Sequence, residues 1–290
     1  MKLDHYVFKY LNSSDEYFIN NLKNNELITR HYQDYNDSHE SYFGIHSPWP
    51  SPVSEKKKLL ELIKIIYPDS RIPDNCSIQN LKDFIKSKSH LNDTFLQSIM
   101  RSLEKIRYCS FSRRWKNTLM WGHYGNGVKG VALAFDQKLL IENASARTIN
   151  PPQELTGTAN FLGWIKYSHN PPVINVLGYL RAIRSDDRDL VQRLNEQAVQ
   201  SCTLTKSRDW KYEQESRLVT SYKEHISTNP VMYKYDRNAL KAIIFGWRCS
   251  PDTITEVSKI IPGTTDVYLT KPIKSKYKLD ILEQYVAHDI

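Results

Sequence analysis

The stretch YCSFSRRWKNTLMWGHYGNGVKGVALAFD, residues 108–136, decides the class of fold. Its first five residues alternate, so an extended chain sets Tyr108, Ser110 and Ser112 on one face and Cys109 and Phe111 on the other. Helical spacing takes over at residues 117–124, where Leu119 and His123, and Met120 and Tyr124, stand four apart. Gly125 and Gly127 are placed to end that helix. Residues 131–135 are then a continuous apolar run of strand length, as expected of a strand covered on both faces. Strand, helix, turn and strand in one short stretch give an α+β reading. Gly125, Gly127 and Gly130 also fit the G-x-G-x-x-G dinucleotide pattern, but that fingerprint needs a strand before the glycines and a helix after them. Here the order is reversed, so these glycines are read as a cap and a turn.

Outward from this stretch, residues 5–11 read as an opening strand with Tyr6, Phe8 and Tyr10 facing away from His5, Val7 and Lys9. Residues 32–40, YQDYNDSHE, have turn chemistry at Asn36-Asp37 and read as a surface loop. The Pro/Ser-rich residues 51–54 lead into a helix capped by Ser54 and stopped by Pro68. Phe95, Ile99, Leu103 and Ile106 make an amphipathic stripe, capped by Asn92 or Asp93 and expected to pack on the sheet. Residues 151–163, with two prolines and two glycines, read as a loop, and residues 165–168 as a short strand. A helix over residues 173–199 should break near Ser185-Asp186-Asp187. Residues 210–219, WKYEQESRLV, read as a strand with Lys211, Glu213, Glu215 and Arg217 on one face. Two carboxylates at i and i+2 on a strand aim at one point, and the same pattern also suits an exposed strand face. Residues 242–245 are a buried strand, Ser250-Pro251 opens a helix over 253–261, and residues 266–270 and 278–285 are further strands. The expectation is a single domain over 1–290, with helical insertions around 51–107 and 172–205.

Two readings fit the net charge of +8: an acidic partner such as nucleic acid or a phosphorylated ligand, or a solvated lysine-rich surface. Cys76, Cys109, Cys202 and Cys249 form no C-x-x-C pair, which suits reduced, buried thiols. The N-terminus has no apolar core of signal-peptide length and no run approaches a transmembrane span, so the chain reads as soluble and cytoplasmic.

Taken together, several motifs resemble a widespread bacterial family that carries a domain-of-unknown-function label. They are Lys9-Tyr10, Asn36-Asp37-x-x-Glu40, the run from Phe111-Ser112 through Leu119-Met120-Trp121-x-His123-Tyr124 to Lys129-Gly130, Trp210-x-x-Glu213-x-Glu215-x-Arg217, and Ile243-Ile244-x-Gly246. That family is in turn similar to ADP-ribosyltransferases of toxins and anti-phage systems. The resemblance implies a split β-sheet core with surrounding helices, NAD as substrate, no metal, a cognate antitoxin, and a macromolecular acceptor such as RNA or DNA.

Carried over by residue, the resemblance to the arginine-serine-glutamate type matches Tyr108-x-Ser110-Phe111-Ser112 and Glu213-x-Glu215. It departs at Lys9, where an arginine is expected. Cleavage of the nicotinamide–ribose bond passes through an oxocarbenium-like state that a carboxylate stabilises. The implied catalytic residues are Glu215 in that role, Glu213 toward the incoming nucleophile, and His123. Lys9, Tyr10, Ser110, Ser112, Trp121, Tyr124 and Arg217 are the implied NAD contacts. A different class, a non-catalytic nucleic-acid-binding module, is suggested by the positive charge with 18 tyrosines and six tryptophans available for stacking. A nuclease is the weaker alternative, since no acidic cluster has evident two-metal spacing.

Overall fold

All five residues of the apolar run 131–135 are buried, because strands flank the run on both sides and side chains cover both of its faces. The computed structural model describes residues 5–46, 56–87, 89–142, 144–149, 151–224, 226 and 230–285. The described residues form two compact units. One lies within residues 1–40, 105–168 and 206–290, the other within 41–104 and 169–205. Where the sequence suggested one domain with two helical insertions, the insertions share a unit of their own.

The chain begins with β1 (Tyr6–Leu11), α1 (Phe18–Asn24) and β2 (Glu26–Thr29) in the first unit. In the second follow β3 (Gly44–His46), α2 (Lys56–Ile66), α3 (Ile78–Ser87) and α4 (Ser89–Glu104). The first unit resumes with β4 (Ile106–Ser112), α5 (Thr118–His123), β5 (Val131–Asp136), β6 (Ser145–Thr148), β7 (Glu154–Leu155), β8 (Gly157–Trp164) and β9 (Lys166–Ser168). After β10 (Val173–Asn175), α6 (Val176–Arg184) and α7 (Arg188–Thr203) in the second, β11 (Thr205–Ser207) returns the chain to the first. The last elements are β12 (Glu215–Tyr222), β13 (Val231–Lys234), β14 (Leu240–Phe245), α8 (Pro251–Ile260), β15 (Asp266–Pro272) and β16 (Leu279–Tyr285).

An eight-stranded mixed sheet runs in the order β16-β15-β14-β5-β1-β4-β12-β8. Only β14 and β15 run parallel within it. The period of two sorts its side chains as expected. Val7, Cys109, Phe111, Leu133 and Phe135 pack with Phe18 and Leu22 of α1 and Val257 of α8. Phe8, Tyr10, Ala132 and Ala134 pack on the opposite face with Trp121 of α5. A four-stranded sheet, β2-β13-β6-β7, completes this unit's larger sheets. In the sheet's middle, β1 pairs with β5 over six register positions but meets β4 at one, Phe8 opposite Ser112. Continued, that register would set Lys9 against Phe111 and Tyr10 against Ser110. The strands part there instead, and the Lys9 Nζ reaches the Ser110 carbonyl at 3.1 Å.

The glycine-rich turn has the order helix, turn, strand. Asn117 caps α5 by accepting from the Leu119 and Met120 amides. Asn126, Gly127 and Val128 then follow with φ of 48°, 61° and 68°, and a β-branched valine in that region is strained. A Cβ on Gly130 would lie 2.1 Å from the Leu11 carbonyl oxygen, so close backbone approach fixes this glycine.

Several expectations need correction. Residues 157–164 are not loop but the edge strand β8, paired with β12 almost throughout. An edge strand needs little hydrophobicity, and its glycines read as punctuation. The strand expected over 210–219 begins only at Glu215, because Arg208–Glu213 forms a 3-10 turn in which the Ser207 side chain accepts from the Asp209 amide. Such local side-chain bonding competes with a ladder. Ile106 opens β4 rather than ending α4, and Asn92 and Asp93 lie inside α4, which starts at Ser89. The stripe residue Phe95 stacks on Tyr179 of α6, with ring centroids 3.8 Å apart. Residues 173–175 form β10, and α7 begins behind its Asp187 cap. The proposed Ser54 cap lies outside the described residues. All four cysteines are free and buried. Among the described residues no helix is long and apolar enough to cross a membrane.

Candidate functional site

Where β1 and β4 part, a cavity of about 100 Å³ opens, lined by Lys9, Tyr10, Ser110, Tyr124, Lys206, Glu213 and Glu215 among others. Glu215 is the first residue of β12 and lies opposite Ser112, which brings its carboxylate within reach of Ser110 two positions along β4. The Ser110 hydroxyl donates to Glu215 Oε1 at 2.5 Å, and Arg217 Nε donates to the same oxygen at 2.9 Å. The other oxygen, Oε2, accepts from Lys206 Nζ at 3.2 Å. Lys206 also donates to Glu213 Oε2 at 2.7 Å, and the Tyr124 hydroxyl donates to Glu213 Oε1 at 2.6 Å. One buried ammonium therefore holds two buried carboxylates together.

The two glutamates do not converge through strand alternation. Gln214 between them adopts a left-handed conformation, φ 46° and ψ 49°, which turns the chain from the 3-10 segment into β12. Ser112 secures that corner, its hydroxyl donating to the Glu213 carbonyl at 2.7 Å. On the far side Arg217, fully buried, forks onto Glu40 at 2.9 and 3.1 Å and lies 4.2 Å from the Tyr108 ring centroid. The Asn36-Asp37-x-x-Glu40 segment is thus no plain surface turn. Glu40 is buried as a bidentate partner, and the Asn36 amide donates to the Tyr124 hydroxyl at 3.4 Å.

Burial raises the Glu215 carboxyl, but the charges of Arg217 and Lys206, with their hydrogen bonds and that of Ser110, outweigh it and lower the group to about 2. For Glu213 burial dominates over Lys206 and Tyr124, and the net direction is upward. Lys206 is itself held above the usual lysine range, since the two carboxylates outweigh its burial. One carboxylate is fixed as an anion while its neighbour is eased toward protonation. That division is the arrangement by which paired carboxylates take separate acid–base roles.

Residues 120–218 match the family model described as "Protein of unknown function (DUF2971)". The matched region holds Tyr124, Lys206, Glu213, Glu215 and Arg217, while Lys9, Tyr10 and Ser110 reach the cavity from outside it and Glu40, also outside it, holds Arg217. No curated protein and no solved structure matched the chain.

Of the residues singled out in the sequence, Lys9, Tyr10, Ser110, Tyr124, Glu213 and Glu215 meet at the cavity. Four do not line it. His123 is exposed at the end of α5, its ring 6.0 Å from that of Tyr212. Trp121 is fully buried and donates its indole N–H to the Trp115 carbonyl at 2.7 Å, so its ring is spent on the core. Ser112 and Arg217 are buried behind Glu213 and Glu215 and position them. Two contributors escaped sequence reading. Lys206 is one of forty basic residues with no pattern around it. Tyr167, whose hydroxyl accepts from the Glu215 amide at 2.7 Å, sits in a three-residue strand. Among the described residues no group of three or more His, Cys, Asp or Glu side chains is arranged to hold a metal ion.

Proposed function

We propose that this protein is an NAD-dependent ADP-ribosyltransferase. The observation that carries the reading is a buried, ionised Glu215, held by Ser110, Arg217 and Lys206 at the wall of a ring-sized cavity where two central strands part. The parting of β1 from β4 is the feature that supports a split-sheet core of the kind the resemblance implies. Nicotinamide fits a cavity of this size beside Tyr10 and Tyr124, with the rest of NAD outside it.

In the proposed reaction the bond between the ribose C1′ and the nicotinamide nitrogen breaks, and nicotinamide leaves as a neutral molecule with the bonding pair. Glu215 stabilises the positive charge that develops on the ribose. An acceptor hydroxyl or amine then attacks C1′, and its proton passes to Glu213, the carboxylate with the raised pKa. Ser110 and Arg217 serve by holding Glu215 in place. Lys9, half-buried at the cavity, is the cation available to a phosphate. A role as a toxin or anti-phage effector follows from the same resemblance.

The test is nicotinamide release from labelled NAD by the purified chain and by Glu215→Gln. A drop of about a hundredfold to a thousandfold is expected, the usual effect of deleting a well-placed electrostatic group. Release by Glu215→Gln at the parental rate, from a protein that melts as a folded chain, would sink the assignment.

A further inference from the structure

We infer that a second, larger cavity of the first unit binds single-stranded nucleic acid. It has a volume of about 720 Å³ and is lined by Arg113, Arg114, Lys116, Lys211, Trp164 and Gln214 among others, with no carboxylate among its described lining residues. Lys116 pairs with Asp280 at 3.0 Å. Arg113, Arg114 and Lys211 have no carboxylate partner among the described residues. Three cations gathered at one concavity without counter-charge select an anion, and their spread along the wall suits several phosphates rather than one.

Trp164 makes the choice among polyanions. Its side chain ends the edge strand β8 and is 63% exposed, which is unusual for an indole, and the Arg113 guanidinium lies 5.0 Å from its ring centroid. An exposed aromatic face flanked by cations is the platform on which unpaired bases stack while phosphates are neutralised alongside. A phosphopeptide has no use for such a ring, and a duplex hides its base faces.

The cavity also shares a wall with the glutamate site. Gln214, which lines it, stands between Glu213 and Glu215, and its carbonyl accepts the Arg113 amide at 3.0 Å. Tyr167 lines it too, while its hydroxyl accepts the Glu215 amide. A strand held here lies against the segment that carries both carboxylates. That the bound strand is the acceptor rests on the transferase reading, whereas its binding does not.

The experiment is fluorescence anisotropy with a labelled single-stranded oligonucleotide of about ten nucleotides. It uses the full chain and Arg114→Ala, Lys211→Ala and Trp164→Ala, three exposed positions, with melting temperatures as a check on folding. Lys259→Ala, exposed on α8, which packs on the sheet face opposite the cavity's Phe8 and Trp115, is the control. Trp164→Ala should weaken binding roughly tenfold. Each cation variant should lower the slope of log affinity against log salt by about 0.7, one released counterion on a single strand. Lys259→Ala should change neither. Repeating the titration in Glu215→Gln separates the two proposals, because binding should persist there whether or not nicotinamide release is lost. Absence of binding at about 50 mM salt, equal affinity for a duplex of the same length, wild-type affinity in Trp164→Ala, or an equal loss in Lys259→Ala would each overturn the inference. So would displacement of the oligonucleotide by equimolar NAD, which would give the cavity to the dinucleotide.

Discussion

Glu213 and Glu215 share Lys206 yet are pushed in opposite directions, and that difference is testable by pH. Lys206→Met removes the cation that draws both carboxyls down while keeping much of the side-chain volume. If Glu213 takes the acceptor's proton, the acid limb of the rate–pH profile should move to higher pH in Lys206→Met and disappear in Glu213→Gln. A limb that stays in place in both variants would remove Glu213 from the reaction. The stability sign follows from Glu215. Its folded-state pKa of about 2 lies below the ordinary 4.5, so its stabilising contribution is complete above about pH 4.5 and is lost as pH falls through about 2. The melting-temperature advantage of the wild type over Glu215→Gln should therefore be constant near neutrality and shrink below about pH 4.5. An advantage that grows in acid would contradict the assigned ion pairs. Glu215→Gln should still fold, since Arg217 keeps its fork on Glu40 and Lys206 keeps Glu213.

The elements that hold the site were legible to different depths. The β4 alternation, the α5 helix and the buried β5 run all follow from local pattern, because each is decided by neighbours within four residues, whereas the Asn117 cap was not read from the sequence. The 3-10 turn at Arg208–Glu213 was hidden, since WKYEQES alternates as a strand would and only Ser207 marks the turn. Its closing residue gives an element-scale prediction. Gln214 has φ 46°, where a β-branched side chain is strained and glycine is at ease. Gln214→Val should cost about 1–2 kcal/mol and cut nicotinamide release by separating Glu213 from Glu215, whereas Gln214→Gly should keep both. Chemical denaturation with a parallel release assay reads the two effects. Equal stability of the valine and glycine variants would show that the left-handed corner is not what joins the carboxylates.

At the scale of the whole molecule, the strand order of the large sheet could not be read from the chain. Nothing local places β1 between β5 and β4, since long-range pairing is decided by packing on both faces. The same order yields the last prediction. β5 is hydrogen-bonded on both edges and buried on both faces, so amides of residues 131–136 should be among the slowest to exchange in hydrogen exchange read by mass spectrometry. β1 is equally central, but only one of its edges is paired along its length, because it meets β4 at Phe8 and Ser112 alone. Its amides should divide, those bonded to β5 slow and those facing β4 beyond Phe8 faster. The fast class borders the cavity at Lys9 and Tyr10, so a tightly bound NAD analogue should slow it and leave residues 131–136 unchanged. Uniformly slow exchange across residues 6–11 before ligand is added would mean that β1 and β4 pair throughout, and the gap on which the transferase proposal depends would not exist in solution.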